Sequence, residues 1–182
     1  IAQETTAADA PALSQTAMSI ESVKPDPYGA DRGFRLLEDK NYAAAADAFY
    51  AAALARPQHR DYLYLARGYA LYLAGDRENA ELAWRQSSGS ARDEIAARTR
   101  YNLGVLFSDA LKTAVSDALA KRPPTADKSA DNEATIDAIR DPAARRMNIE
   151  QAMLAQRAFR DCLDIEPDHT DARRLFEGLR LW

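Results

Sequence analysis

The chain has 182 residues, 47% of them hydrophobic, enough for one domain with a sizeable core and too many for wholesale disorder. Its formal charge is -4, and Lys and Arg are scattered rather than gathered into a stripe with interleaved aromatics, which excludes a nucleic-acid binder and argues against an anionic membrane surface. No run approaches the length of apolar residues that spans a bilayer, and the single cysteine, Cys162, rules out a disulfide framework.

The chain opens at Ile1 with a small, polar, Ala- and Thr-rich stretch that lacks helical periodicity and ends in Pro25-Asp26-Pro27. Residues 1–26 are therefore expected to form a flexible N-terminal tail. This composition is common just after a signal-peptide cleavage point, which predicts an exported, periplasmic protein; the same opening also fits an internal boundary of a longer chain.

From residue 27 onward, amphipathic segments of about 13 residues alternate with short breaks, as antiparallel helix pairs do. The breaks fall at Asp39-Lys40-Asn41, Arg56-Pro57-Gln58, Gly75-Asp76 and Ser87 to Ser90. Ala-rich runs at Ala43–Ala46 and Ala51–Ala53 favour helix, and strand or hairpin signals are nearly absent, so the fold class is all-α.

These segments repeat. Gly33 and Gly68, Leu36 and Leu71, Ala45 and Ala80, Phe49 and Trp84, and Ala52 and Ser87 are each 35 residues apart. The shared period marks a repeat protein. A small residue on the first helix lets the second approach, and a large aromatic four residues after a small one fills the space between pairs. Pro57 ends the second helix and begins the next unit.

A third copy is interrupted. Arg100-Tyr-Asn-Leu103-Gly104-x-x-Phe107 supplies its first helix, and Ala155-x-x-x-Phe159-x-x-Cys162-Leu163-x-Ile165-x-Pro167 its second. Twelve residues separate Gly33 from Ala45 but 51 separate Gly104 from Ala155, an insertion of 39. The first helix runs on through Leu111, Val115 and Leu119 and stops at Lys121-Arg122-Pro123-Pro124. Thr125 to Thr135 is polar, and a helix restarts with Asp141 as N-cap and Pro142 at its first position. The insertion, at about 111–149, is expected to form a long antiparallel helical arm within a 27–182 domain. Asp171 to Trp182 reads as a capping helix for the last unit.

Tyr42-Ala-Ala-Ala45 before Phe49 and Ala52, with Leu73-Ala-Gly75-Asp76 in the next turn, resembles the tetratricopeptide repeat (TPR) family. The resemblance implies a solenoid of about three helix-turn-helix repeats plus the cap, and a non-enzymatic role in binding another protein or peptide. In that register Phe34, Tyr62, Leu65, Tyr69, Tyr72, Tyr101, Asn102 and Val105 line or border a concave groove, with Arg98 near its edge. Exposed tyrosines suit a binding surface because each ring offers area at small entropy cost, although Tyr64 and Tyr72 are also suited to packing between helices. Members that grip a C-terminal carboxylate use lysine and asparagine where Ala30 and Phe34 stand here, so that mode is not implied.

Thr99-Arg-Tyr-Asn-Leu-Gly104 and Asp171-Ala-Arg173 resemble the MxaK-like TPR proteins found beside MoxR-type ATPases and von Willebrand A domain proteins. That narrower resemblance implies maturation of a periplasmic metalloenzyme such as methanol dehydrogenase. An envelope scaffold, for instance in polysaccharide secretion, is the other reading.

Reactive groups are sparse. His59 and His169 follow repeat-ending prolines and read as solvated turn residues, too far apart in the solenoid to share a metal. Cys162 takes the small-residue position held by Ala52 and Ser87 and reads as core, with no histidine placed to activate it. Acidic pairs such as Asp137/Asp141 and Glu78/Glu81 read as solvated helix faces. No phosphate loop, catalytic triad or metal-ligand spacing is present, and no cofactor is implied.

Overall fold

A computed structural model describes residues 24–120 and 142–180 of the chain. The alanine-rich and amphipathic segments form helices α1 (Gly29–Glu38), α2 (Tyr42–Ala55), α3 (Arg60–Leu73), α4 (Arg77–Ser87), α5 (Asp93–Ala120), α6 (Pro142–Leu163) and α7 (Thr170–Arg180). Among the described residues there is no strand. Each helix packs on its neighbours in sequence, and α3 also touches α5. That is the order of a solenoid, with α1, α3 and α5 as first helices and α2, α4 and α6 as second helices.

The three repeats share one packing device. A Cβ placed on Gly33 would lie 2.7 Å from the Phe49 ring, on Gly68 2.5 Å from the Trp84 ring, and on Gly104 2.5 Å from the Phe159 ring. Each first helix therefore presents bare backbone to the aromatic of its second helix, and each aromatic is sealed from solvent. Trp84 also donates its indole N–H to the Leu65 carbonyl at 3.1 Å. The pairing of Gly104 with Phe159 makes α5 and α6 one repeat although 39 extra residues separate their motifs.

The turn inside each repeat carries the period too. Lys40 and Gly75, again 35 apart, are the left-handed residues of the described chain, at φ 58° and 84°. Asn41 N–H bonds the Leu36 carbonyl at 2.8 Å and Lys40 N–H that of Leu37 at 3.0 Å; Asp76 with Leu71 and Gly75 with Tyr72 repeat the pattern. This is a Schellman ending, in which the left-handed residue satisfies the last helix carbonyls. Gly104 follows Gly68 by 36 residues, so the matching position in the third copy is Leu111. There α5 does not turn but continues for nine more residues to Ala120. The insertion replaces the tight turn and leaves the rest of the repeat intact.

Residues beside both expected boundaries are packed. Residues 1–23 of the expected tail lie outside the described residues, but Asp26 is docked. Its N–H donates to the Ala51 carbonyl at 3.0 Å, and its carboxylate accepts from Tyr28 N–H at 2.9 Å and sits 3.3 Å from Arg32. Leu111 is buried, and Leu111, Lys112 and Ser116 face Leu175, Gly178 and Leu179 of α7 across a shallow cleft. The cap packs on α6 of the third repeat, and Gln156 of α6 donates to the Leu179 carbonyl at 2.7 Å. The Pro123-Pro124 stop, the polar Thr125–Thr135 stretch and the Asp141 cap lie outside the described residues; α6 begins at Pro142.

Polar groups also hold the second unit to the third. The fully buried Ser87 hydroxyl donates to the Asp61 carbonyl at 2.7 Å and shares a 3.0 Å bond with the Thr99 hydroxyl. The Asp61 carboxylate accepts from Tyr62 N–H, Ser90 and Arg92. Burial pushes its pKa up, but the bonds from Arg92, Ser90 and Tyr62 N–H and the Arg92 charge prevail and bring it down to about 2. A carboxyl held below its unfolded value of about 3.9 stabilises the fold above that pH. The contribution is lost as pH falls from about 4 to about 2. Asp61→Asn should therefore cost about 1–2 kcal/mol at pH 7 and almost nothing near pH 2, read from urea midpoints. An equal cost at both pH values would show that the charge on Asp61 is not what matters.

Candidate protein-binding groove

The residues expected to line a groove lie on the first helices, and their sequence spacing sets which of them share a face. Tyr62, Leu65, Tyr69 and Tyr72 follow one another on α3 at three- and four-residue steps, and Arg98, Tyr101 and Val105 repeat that spacing on α5. On α1 the equivalent of Tyr69 is Phe34, 35 residues earlier.

Exposure divides these residues. Phe34, Tyr62 and Tyr69 keep 39%, 41% and 48% of their surface open, and Arg98 is also exposed. The Phe34 ring lies 6.4 Å from Tyr62 across the α1–α3 boundary and meets Phe49 edge-on at 5.0 Å. The outer surface of this aromatic strip is open while its inner edge rests on the core.

Tyr72, Tyr101, Asn102 and Val105 are half-buried. Tyr72 packs on Trp84 at 5.8 Å and donates its hydroxyl to Asp109, which Lys112 also contacts at 3.1 Å. Burial and then the Asp109 carboxylate raise the Tyr72 pKa to about 12; burial opposes ionisation of Asp109, but the Tyr72 and Lys112 bonds leave its pKa below the usual value. The Tyr72 hydroxyl is thereby committed to α5. Tyr101 stacks on His169 at 4.6 Å and lies 6.0 Å from Phe159, so the start of α7 covers part of its ring.

Two expectations need correction. Leu65 does not line the open surface: at 7% exposure it belongs to the core, because α3 turns that position inward. His169 is no solvated turn residue. Its ring stacks on Tyr101 and its Nδ1 accepts the Ala172 N–H at 3.3 Å, capping α7. Its place immediately before a helix was the available signal, since a side-chain acceptor there can reach the third helical N–H. His59, at the matching start of α3, is exposed and makes no such bond. Tyr64 is buried, with Arg60 5.2 Å above its ring.

Cys162 is fully buried, and burial, followed by the charge of Glu166, pushes its thiol up to about 11 against the opposing effect of Arg100. Such a thiol is not an accessible nucleophile at neutral pH. Among the described residues no group of three or more His, Cys, Asp or Glu could hold a metal, and no helix is long and apolar enough to cross a membrane.

Stacked helix pairs with a small-to-aromatic contact in each unit define the tetratricopeptide-repeat fold, and this chain has it. It is similar in structure to a TPR repeats protein from Bacteroides fragilis, with a TM-score of 0.51 and 16% sequence identity, covering 84% of this chain and 81% of that one. No family model matches the sequence, and no curated protein matches it.

Proposed function

We propose that the chain is a non-enzymatic protein-binding module whose concave face holds a client through Phe34, Tyr62 and Tyr69. The observation that carries this reading is the open strip of three large aromatics on adjacent first helices, where, among the described residues, the other large aromatics apart from Tyr28 are buried or half-buried. Such rings dominate binding energy when a partner covers them. With Arg98 beside it, the strip suits a largely apolar client segment carrying an occasional acidic group. The Tyr72 and Tyr101 edges shape the groove and contribute less, since their rings are already partly covered.

Within that reading the chain acts as a periplasmic assembly or maturation factor. The support is the resemblance of Thr99–Gly104 and Asp171–Arg173 to TPR proteins of MoxR and von Willebrand A systems. Clients on this reading are von Willebrand A domain proteins or a periplasmic metalloenzyme.

Affinity capture from native extract tests the proposal. A client held by the wild-type chain should be reduced at least about tenfold by Tyr62→Ala/Tyr69→Ala and retained by Leu82→Ala, an exposed apolar residue on α4. Equal retention by both variants would remove any role for the groove.

A further inference from the structure

A second surface lies on α6 and α7, away from the helices that line the groove. On α6, Arg146, Ile149, Met153, Arg157 and Arg160 fall at three- and four-residue steps and so share one face. With Phe176 and Arg180 of α7 they border a cleft of about 660 Å³. Its apolar lining is open: Ile149 is 50% exposed and Met153 64%, and Met147 beside them is 59% exposed. Methionine side chains adapt to many partner shapes, which suits a docking surface better than a core.

The charge around this cleft is reversed relative to the whole. The chain carries a formal charge of -4, yet the cleft is rimmed by Arg146, Arg157, Arg160 and Arg180, and its one lining carboxylate is Glu150. Asp161 lies 3.9 Å from both Arg157 and Arg160, too far for a hydrogen bond to either. Those guanidinium groups are largely exposed and can form bidentate bonds with an incoming carboxylate. From Arg146 to Arg160 the stripe is about 21 Å long at 1.5 Å per residue, the length of a helix of about four turns.

We propose that this cleft is a second docking site, for an acidic amphipathic helix of a partner protein. The partner's apolar side chains, recurring at three- and four-residue steps, seat against Ile149, Met153 and Phe176. Its flanking carboxylates pair with the four rim arginines. The site does not depend on the groove: no side chain of the aromatic strip borders it.

The test uses the full chain and two fluorescein-labelled helical peptides of about 16 residues, matched in length to the stripe. Both carry leucine at helical spacing; one has flanking glutamates and the other lysines at the same places. The net negative charge of the chain would favour the lysine peptide, so the outcome separates local from global electrostatics. Fluorescence anisotropy should show the glutamate peptide bound at least about tenfold tighter, weakening several-fold between about 50 and 300 mM salt. Arg157→Glu/Arg160→Glu and Met153→Asp should each weaken it about tenfold with unchanged helical circular dichroism, because all three side chains are exposed. Tyr62→Ala/Tyr69→Ala should leave it unchanged. The proposal is overturned by equal affinity for the two peptides, by binding to neither, or by loss of binding in the groove variant. A wild-type dimer that Met153→Asp converts to monomer overturns it as well, since the cleft would then belong to a second copy of this chain.

Discussion

Trp84→Ala should lower the stability by about 4 kcal/mol, the upper range for removing a large aromatic from a core. The indole is fully enclosed, fits against the bare backbone of Gly68, supports the Tyr72 ring at 5.8 Å and bonds the Leu65 carbonyl at 3.1 Å. Removing it opens a cavity in the middle repeat, which neighbours on both sides need for their own packing. Against a total of about 5–15 kcal/mol for a domain this size, the loss shifts the melting temperature by roughly 10 °C. Trp84→Phe is the informative control, because phenylalanine fills the equivalent place at Phe49 and Phe159. It should cost less than half as much as the alanine variant. Urea unfolding followed by circular dichroism reads both, and a Trp84→Phe penalty equal to that of alanine would contradict the equivalence of the three repeats.

Gly104→Ala should destabilise by about 2 kcal/mol, even though alanine is the better helix former by about 1 kcal/mol. Steric crowding wins because the new methyl would stand 2.5 Å from the Phe159 ring, well inside contact distance. Gly178→Ala supplies the opposite sign. Nothing lies within 4 Å of a Cβ there, so the propensity gain of about 0.5–1 kcal/mol stands alone. Combining Gly104→Ala with Phe159→Leu, a shorter aliphatic side chain, should cost at least about 0.5 kcal/mol less than the sum of the single changes. Strict additivity would mean that α5 and α6 do not meet through this pair, and the assignment of one repeat across the insertion would fall.

The repeat was legible because its signal is steric and therefore written in residue size. Gly33, Gly68 and Gly104 each face an aromatic, and the 35-residue period exposes the first two pairs directly. Phe34 and Tyr69 differ by that same period, and both are exposed. Periodicity cannot tell a buried residue from an exposed one at neighbouring positions of the same helix face, and so Leu65 was expected at the surface. Tertiary partners that follow no period were invisible as well. The bond from Tyr72 to Asp109, the stacking of His169 on Tyr101 and the cleft that Leu111 borders with α7 depend on how the third repeat and the cap meet. The arginine-rimmed cleft belongs to this group, since Phe176 and Arg180 reach α6 only once α7 has docked.

The most direct test of the groove is site-specific photocrosslinking in native cells, with a benzophenone amino acid placed in turn at Tyr62, Tyr69 and Leu82. The three positions are comparably open, at 41%, 48% and 57% exposure, so probe access does not decide the result. A client held on the concave face predicts one adduct of the same mass from Tyr62 and Tyr69, absent from Leu82. Adducts of equal yield from all three positions, or from Leu82 alone, would contradict it.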